Sequence, residues 1–164
     1  MSINPWIFLM PIAILMTIIM VVWFFVLGKE IRVEKACELF RLQKAKFPPL
    51  FLAKAAASGK PRGLRWVECL FADEVLFAKE CATHSIIALV PVQIQFEAIS
   101  GSDMEAVEAV PHPRHGSALL RFHNGQWDTE GRVVFNLTPT EVLSQFTNDY
   151  TSIGITRSDN IGSA

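Results

Sequence analysis

Apolar and polar positions along the chain follow three regimes. From Trp6 to Leu27 there is no period: the run holds no charged side chain and is apolar around the whole helical circumference. As a helix, at about 1.5 Å per residue, it would span roughly 33 Å, enough for a hydrocarbon core of about 30 Å. The run predicts a transmembrane helix closed by Gly28, with a kink at Pro11. Trp6 and Trp23 stand near its ends, where amphipathic rings favour the headgroup level, and Lys29 and Arg32 follow as interface anchors. Lys29 to Lys46 then keeps a helical period, with Val33, Cys37 and Phe40 on one stripe and Glu30, Glu34 and Glu38 opposite. Phe47-Pro48-Pro49 predicts a helix stop, because Pro disfavours helical geometry in the residue before it. Leu50 to Ser58 reads as a short second helix, followed by a loop to Gly63.

From Leu64 the period becomes two. Leu64 to Phe71 and Glu74 to Glu80 read as strands around an Ala72-Asp73 turn, and Ser85 to Ile99 as the longest strand. In the latter, Val90, Val92, Ile94, Phe96 and Ala98 alternate with Gln93, Gln95 and Glu97, so one face is buried and the other wet. Pro91 predicts an edge position or a bulge. Gly101 to Val110 reads as an acidic covering loop. Asn124-Gly125 between two alternating runs predicts a tight hairpin, since both central positions need positive φ, with Trp127 packing across from Phe122. Asp128 to Gly131 reads as a bend. Thr138-Pro139-Thr140-Glu141 has capping-box spacing and opens a short helix over Glu141 to Phe146. Asn148 to Ala164 is polar and predicts a disordered tail.

These elements define an α+β chain. A transmembrane helix continues into a juxtamembrane helix, followed by a curved antiparallel sheet of about five strands packed by helix, and a short C-terminal helix. The boundaries are 1–28 for the anchor, 29–60 for the juxtamembrane helix and linker, 61–147 for the sheet domain and 148–164 for the tail. A helix followed by long, bent antiparallel strands is similar in layout to cystatin and nuclear transport factor 2-like folds, a likeness that does not fix function. The runs Pro61 to Trp66, Phe96 to Ile99, Met104 to Val110 and Phe135 to Glu141 resemble a group of bacterial single-pass membrane-anchored proteins. That resemblance covers most of residues 60 to 142 and implies a bacterial inner membrane location, but brings no activity with it.

Charge adds orientation. The chain carries 15 basic and 16 acidic residues, and they are segregated. Lys29 to Arg65 holds ten basic against three acidic, whereas Trp66 onward holds five against thirteen. No basic residue precedes the apolar run and Lys29, Arg32, Lys35, Arg41, Lys44 and Lys46 follow it, so the positive-inside rule puts the N-terminus out and the domain in the cytoplasm. A cleavable leader fits poorly: the run has no basic n-region and no small-x-small site near Gly28. Three cysteines, Cys37, Cys69 and Cys81, cannot all pair and suit a reducing compartment. The acidic strands argue against nucleic acid as a partner.

Chemistry-bearing patterns are sparse. His112-Pro113-Arg114-His115 has a spacing that can bind metal, but no cysteine or acidic ligand stands at a fixed offset. There is no nucleophile elbow, phosphate loop or dinucleotide fingerprint, so no catalytic residue, cofactor or metal is expected. Two surface groups remain. Lys60, Arg62 and Arg65 precede Trp66 and, with Trp127, could grip an acidic partner or headgroup; Glu97, Asp103, Glu105 and Glu108 form an acidic counterpart. Trp66, Phe77, Phe96 and Trp127 read as core, or as the lining of an apolar pocket if the sheet is cupped. The expectation is a non-enzymatic, membrane-anchored interaction or accessory-subunit module. Its partners would be the lipid bilayer and a membrane or cytoplasmic protein. The alternative is a small-ligand-binding or catalytic cone-shaped domain of nuclear transport factor 2-like type.

Overall fold

The computed structural model describes residues 6–58, 61–107, 110 and 112–157, with side chains described for 15–20, 23 and, among these, from 32 to 154. Two compact units emerge, Met1–Lys35 and Ala36–Ala164. Helix α1 (Trp6–Gln43) supplies the first unit and contributes its last residues to the second. In the first unit Leu15 to Met20 are all exposed, and Trp23 is 70% exposed. Among the described residues no helix is long and apolar enough to cross a membrane. Much of the Trp6–Leu27 run, including Trp6 and Pro11, together with Lys29 beyond it, lies outside the residues whose side chains are described; Arg32 is described and exposed.

In the second unit α1 ends at Gln43, and a 3-10 turn over Lys44–Lys46 leads into α2 (Phe47–Ala57). Pro48 and Pro49 lie in the first turn of α2, where a missing N–H costs no helical bond. The prolines that stop one helix therefore also open the next.

The strands are β1 (Leu64–Phe71), β2 (Glu74–Glu80), β3 (Ile86–Ala98), β4 (Arg114–His123), β5 (Gln126–Asp128), β6 (Val133–Phe135) and β7 (Tyr150–Arg157), with α3 (Pro139–Gln145) before the last. They form one curved antiparallel sheet ordered β5-β4-β3-β2-β7, with β1 also on β3 and β6 also on β4. Registers running from Leu64↔Ala98 to Phe71↔Val92 and from Leu76↔Leu89 to Lys79↔Ile86 lay β1 and β2 end to end along one side of β3. Ala72-Asp73 is thus a jog within one long ribbon, not a reversal. β5 and β6 lie end to end on β4 in the same way, interrupted at 129–132, one residue beyond the bend expected over Asp128 to Gly131. Seven segments make five ribbons.

Pro91 sits in the middle of the central strand, neither at an edge nor in a bulge. Its carbonyl accepts the Ala72 N–H at 2.9 Å. In an antiparallel ladder the N and O of one residue face the same neighbour, so its ring nitrogen also faces the jog, where no ladder bond is lost. The Asn124-Gly125 hairpin forms as expected, with φ of +50° and +80° and Phe122 opposite Trp127. The tail departs from expectation: Tyr150–Arg157 pairs with β2 as strand β7 rather than being disordered. An edge strand draws its bonds from the backbone, so a polar sequence suffices. Residues 158–164 lie outside the described residues.

Each face of β3 is packed differently. On one face Phe40 of α1 and Phe47 and Phe51 of α2 meet the sheet aromatics. Phe40 stacks edge-on with Phe77 (centroids 5.5 Å) and Trp127 (5.1 Å), and Phe51 with Phe71 (5.5 Å) and Trp66 (6.4 Å). The Trp127 indole N–H donates to the Ala36 carbonyl at 2.8 Å, tying the end of α1 to the hairpin. The opposite face holds a second, aliphatic core: Leu76, Ala78, Ile87 and Leu89 under Val142 of α3, ringed by Leu119, Val134, Leu137, Leu143 and Tyr150. The capping box starts α3 as predicted, two residues earlier than expected. At seven residues α3 is only about 10 Å long. It roofs the β3 residues Ile87 and Leu89 and leaves the second half of that face bare.

Candidate functional site: the open half of the sheet

Beyond Pro91 no helix among the described residues covers the α3-side face of the sheet. β3 presents Gln93, Gln95 and Glu97, all exposed. Their β1 partners are Leu70, Glu68 and Arg65, and His115 of β4 lies opposite Gln93. A register shift between Trp66 and Glu68 makes this face possible: one extra residue, Val67, brings both Arg65 and Glu68 to the same side. Val67 is 46% exposed and Leu70 53%.

Two hollows lie along this face. One, of about 680 Å³, lies beside the start of α3 and is lined by Leu70, Pro91, Gln93, His115, Asn136 and Thr138. Its rim is built by Asn136, held at a φ of +59°, whose N–H donates to the His115 carbonyl at 2.9 Å. Asn tolerates this left-handed geometry better than most residues. The other hollow, about 600 Å³, is lined by Val67, Gln95, Glu97, Glu105 and Val107. The turn that carries Glu105 is tied to the start of β1 by the Ser102 hydroxyl, which donates to the Gly63 carbonyl at 3.1 Å, and Glu105 itself accepts the Gly101 N–H at 2.8 Å.

The sign of this surface is acidic. Arg65 is ion-paired with Glu97, whose hydrogen bond and charge hold its guanidinium above the ordinary range. Glu68 and Glu105 stand exposed on either side. Of the basic group singled out in the sequence, Arg65 is ion-paired with Glu97, Arg62 is exposed on the preceding turn, and Lys60 lies outside the described residues. Trp66 is half-buried between Phe51 and Phe96, and Trp127 is interior, 6% exposed. Of the acidic set, Glu97 and Glu105 line the open face, Asp103 is exposed on the same turn, and Glu108 is outside the described residues. Trp66, Phe77, Phe96 and Trp127, which a cupped sheet would turn toward a ligand, pack instead with one another or with the helix phenylalanines.

A third hollow was not legible in the sequence. Arg121, inside β4, donates to Glu80 at 2.9 Å and reaches Glu130 at 3.8 Å, while the Thr83 hydroxyl donates to the other oxygen of Glu80. This cluster flanks a space of about 440 Å³ floored by Ile87 and Leu119 and edged by His123, Asp128 and Arg132. It joins residues 41 apart in sequence, so no local spacing announces it. Burial pushes the Tyr150 hydroxyl nearby above its ordinary value.

Reactive groups are scattered. Cys69 is buried, and burial pushes its thiol up to about 12; Cys81 is exposed, 3.5 Å from the Thr151 hydroxyl; no disulfide joins the three described cysteines. Among the described residues no group of three or more His, Cys, Asp or Glu is gathered where it could hold a metal ion, and His112 and His115 are both exposed. What the open face offers is a broad, shallow, amide- and carboxylate-rich surface with apolar patches. Comparison with known protein families, curated proteins and solved structures returns no match.

Proposed function

We propose that this chain is a membrane-anchored interaction or accessory-subunit module whose α+β domain docks another protein at the inner face of a bacterial membrane. The observation that carries the reading is Leu15 to Met20: six consecutive residues, five of them large and apolar, exposed all round α1. An apolar surface that circles a helix needs lipid or a partner to cover it. The uncharged run that contains them supports lipid, and the basic residues that follow support a cytoplasmic domain. Tethering would confine the domain to two dimensions and raise its effective concentration near membrane partners.

The test is fractionation of the full chain followed by purification in mild detergent. The reading expects a protein that resists carbonate extraction and co-purifies with a stoichiometric companion. A chain found in the soluble fraction, or one that purifies alone, overturns it. Reporter fusions at each end decide the orientation. A second reading, small-ligand binding, draws its support from the Arg121 hollow, where charges of both signs converge over an apolar floor.

A further inference from the structure

We infer that the open half of the sheet is the docking surface for an amphipathic helix of a partner protein that carries lysine or arginine along its flank. The inference rests on the interaction-module reading and names the surface and the chemistry of its occupant. This same sheet face already accepts a helix: Val142 of α3 is fully buried against Leu76, Ile87 and Leu89. Past Pro91 the face continues with no helix over it among the described residues, with Val67 and Leu70 as exposed apolar contacts and Gln93 and Gln95 as amide contacts between them. From Pro91 to Ala98 the strand runs about 25 Å, the length of a helix of about four to five turns.

Charge selects the occupant. Glu68, Glu97 and Glu105 lie on this face against Arg65, which Glu97 already holds. Anionic lipid headgroups would be repelled there. A second copy of the chain docked face to face would set carboxylate against carboxylate. A helix with a basic flank satisfies both the apolar contacts and the acidic rim.

The experiment places a photo-crosslinking phenylalanine analogue at Gln95, and as a control at Thr140 on the exposed side of α3, in the full chain in its own membrane. Cross-linked peptides are then sequenced. The inference expects a Gln95 adduct that maps to a helical segment of another protein with Lys or Arg within one turn of the attachment point, and no such adduct from Thr140. Glu68→Lys with Leu70→Ser, both at exposed positions, should reduce the adduct about tenfold while the near-UV spectrum is unchanged. An adduct to lipid, to a second copy or to an acidic or non-helical segment overturns the inference, as does no adduct. If a stoichiometric companion co-purifies from the membrane but Gln95 stays unlinked, the surface is wrong and the module reading stands; if the companion or the membrane association is missing, the module reading itself fails.

Discussion

Gly131 is where the bend between β5 and β6 presses against α2, and replacing it tests how the helix layer is held. A Cβ built there would sit 2.3 Å from the Ala55 nitrogen, 2.6 Å from its Cα and 2.8 Å from the Lys54 carbonyl carbon. Non-bonded carbons want about 3.5–4.0 Å, and the obstacles are backbone, so α2 as a whole would have to retreat by about 1 Å. That helix carries Phe47 and Phe51, both almost completely buried, so its retreat opens the aromatic core. Gly131 also holds a φ of +72°. A left-handed residue with a Cβ costs roughly 1–2 kcal/mol, and overpacking typically adds about 1–3 kcal/mol. Gly131→Ala should therefore lose about 2–5 kcal/mol, a large part of the roughly 5–15 kcal/mol that holds a domain folded. Gly125→Ala is the control: its φ is +80°, but nothing lies within 4 Å of the added carbon. It should show the conformational cost alone. Denaturant titration of the full chain in mild detergent, followed by the near-UV signal of buried Trp127 and half-buried Trp66, measures both. If the two variants agree within about 0.5 kcal/mol, the spread usual for surface changes, the close packing of Gly131 on α2 is not what holds that layer.

Three further outcomes follow from particular residues. Maleimide at pH 8 should label exposed Cys81 promptly and buried Cys69 only on unfolding, since the Cys69 thiol is pushed up to about 12; equal labelling rates read by peptide mass spectrometry would contradict this. The Thr138 N–H and hydroxyl hold the Glu141 carboxyl below its ordinary value, so the unfolded chain binds that proton first. This contribution to stability is full above the ordinary carboxylate range and lost as pH falls through the lowered value. Glu141→Gln should flatten the fall in the denaturation midpoint below about pH 5, and Thr138→Ala should cost about 1 kcal/mol at neutral pH; an unchanged acid slope would refute the first. A chain stopped after Asp149 loses β7 and opens the outer edge of β2, so it should unfold at lower denaturant and self-associate; an unchanged denaturation midpoint and a single size-exclusion peak at the full chain's position would contradict this.

Signals confined to a few neighbouring residues were legible in advance. The Asn124-Gly125 hairpin, the Thr138–Glu141 capping box and the alternation from Val90 to Ala98 each depend on φ preferences or on a side chain reaching its own backbone, and those are properties of residue type and spacing. The apolar run and the separation of basic from acidic residues are likewise written in composition. Tertiary structure alone decided where ribbons meet. The jog at Ala72-Asp73 looks like a turn because only pairing with β3 reveals that β1 and β2 point the same way. The polar tail reads as disorder because an edge strand is held by backbone bonds that no side chain advertises. Arg65 reads as one of a basic group of three because its partner Glu97 lies 32 residues away, and Trp127 reads as available until Ala36, 91 residues distant, accepts its indole N–H. The open face is the sum of such decisions: a bulge, a register and a helix too short to cover the sheet. Sequence determined which segments are greasy, turned or capped, since those energies are local; long-range backbone pairing determined which surface was left bare.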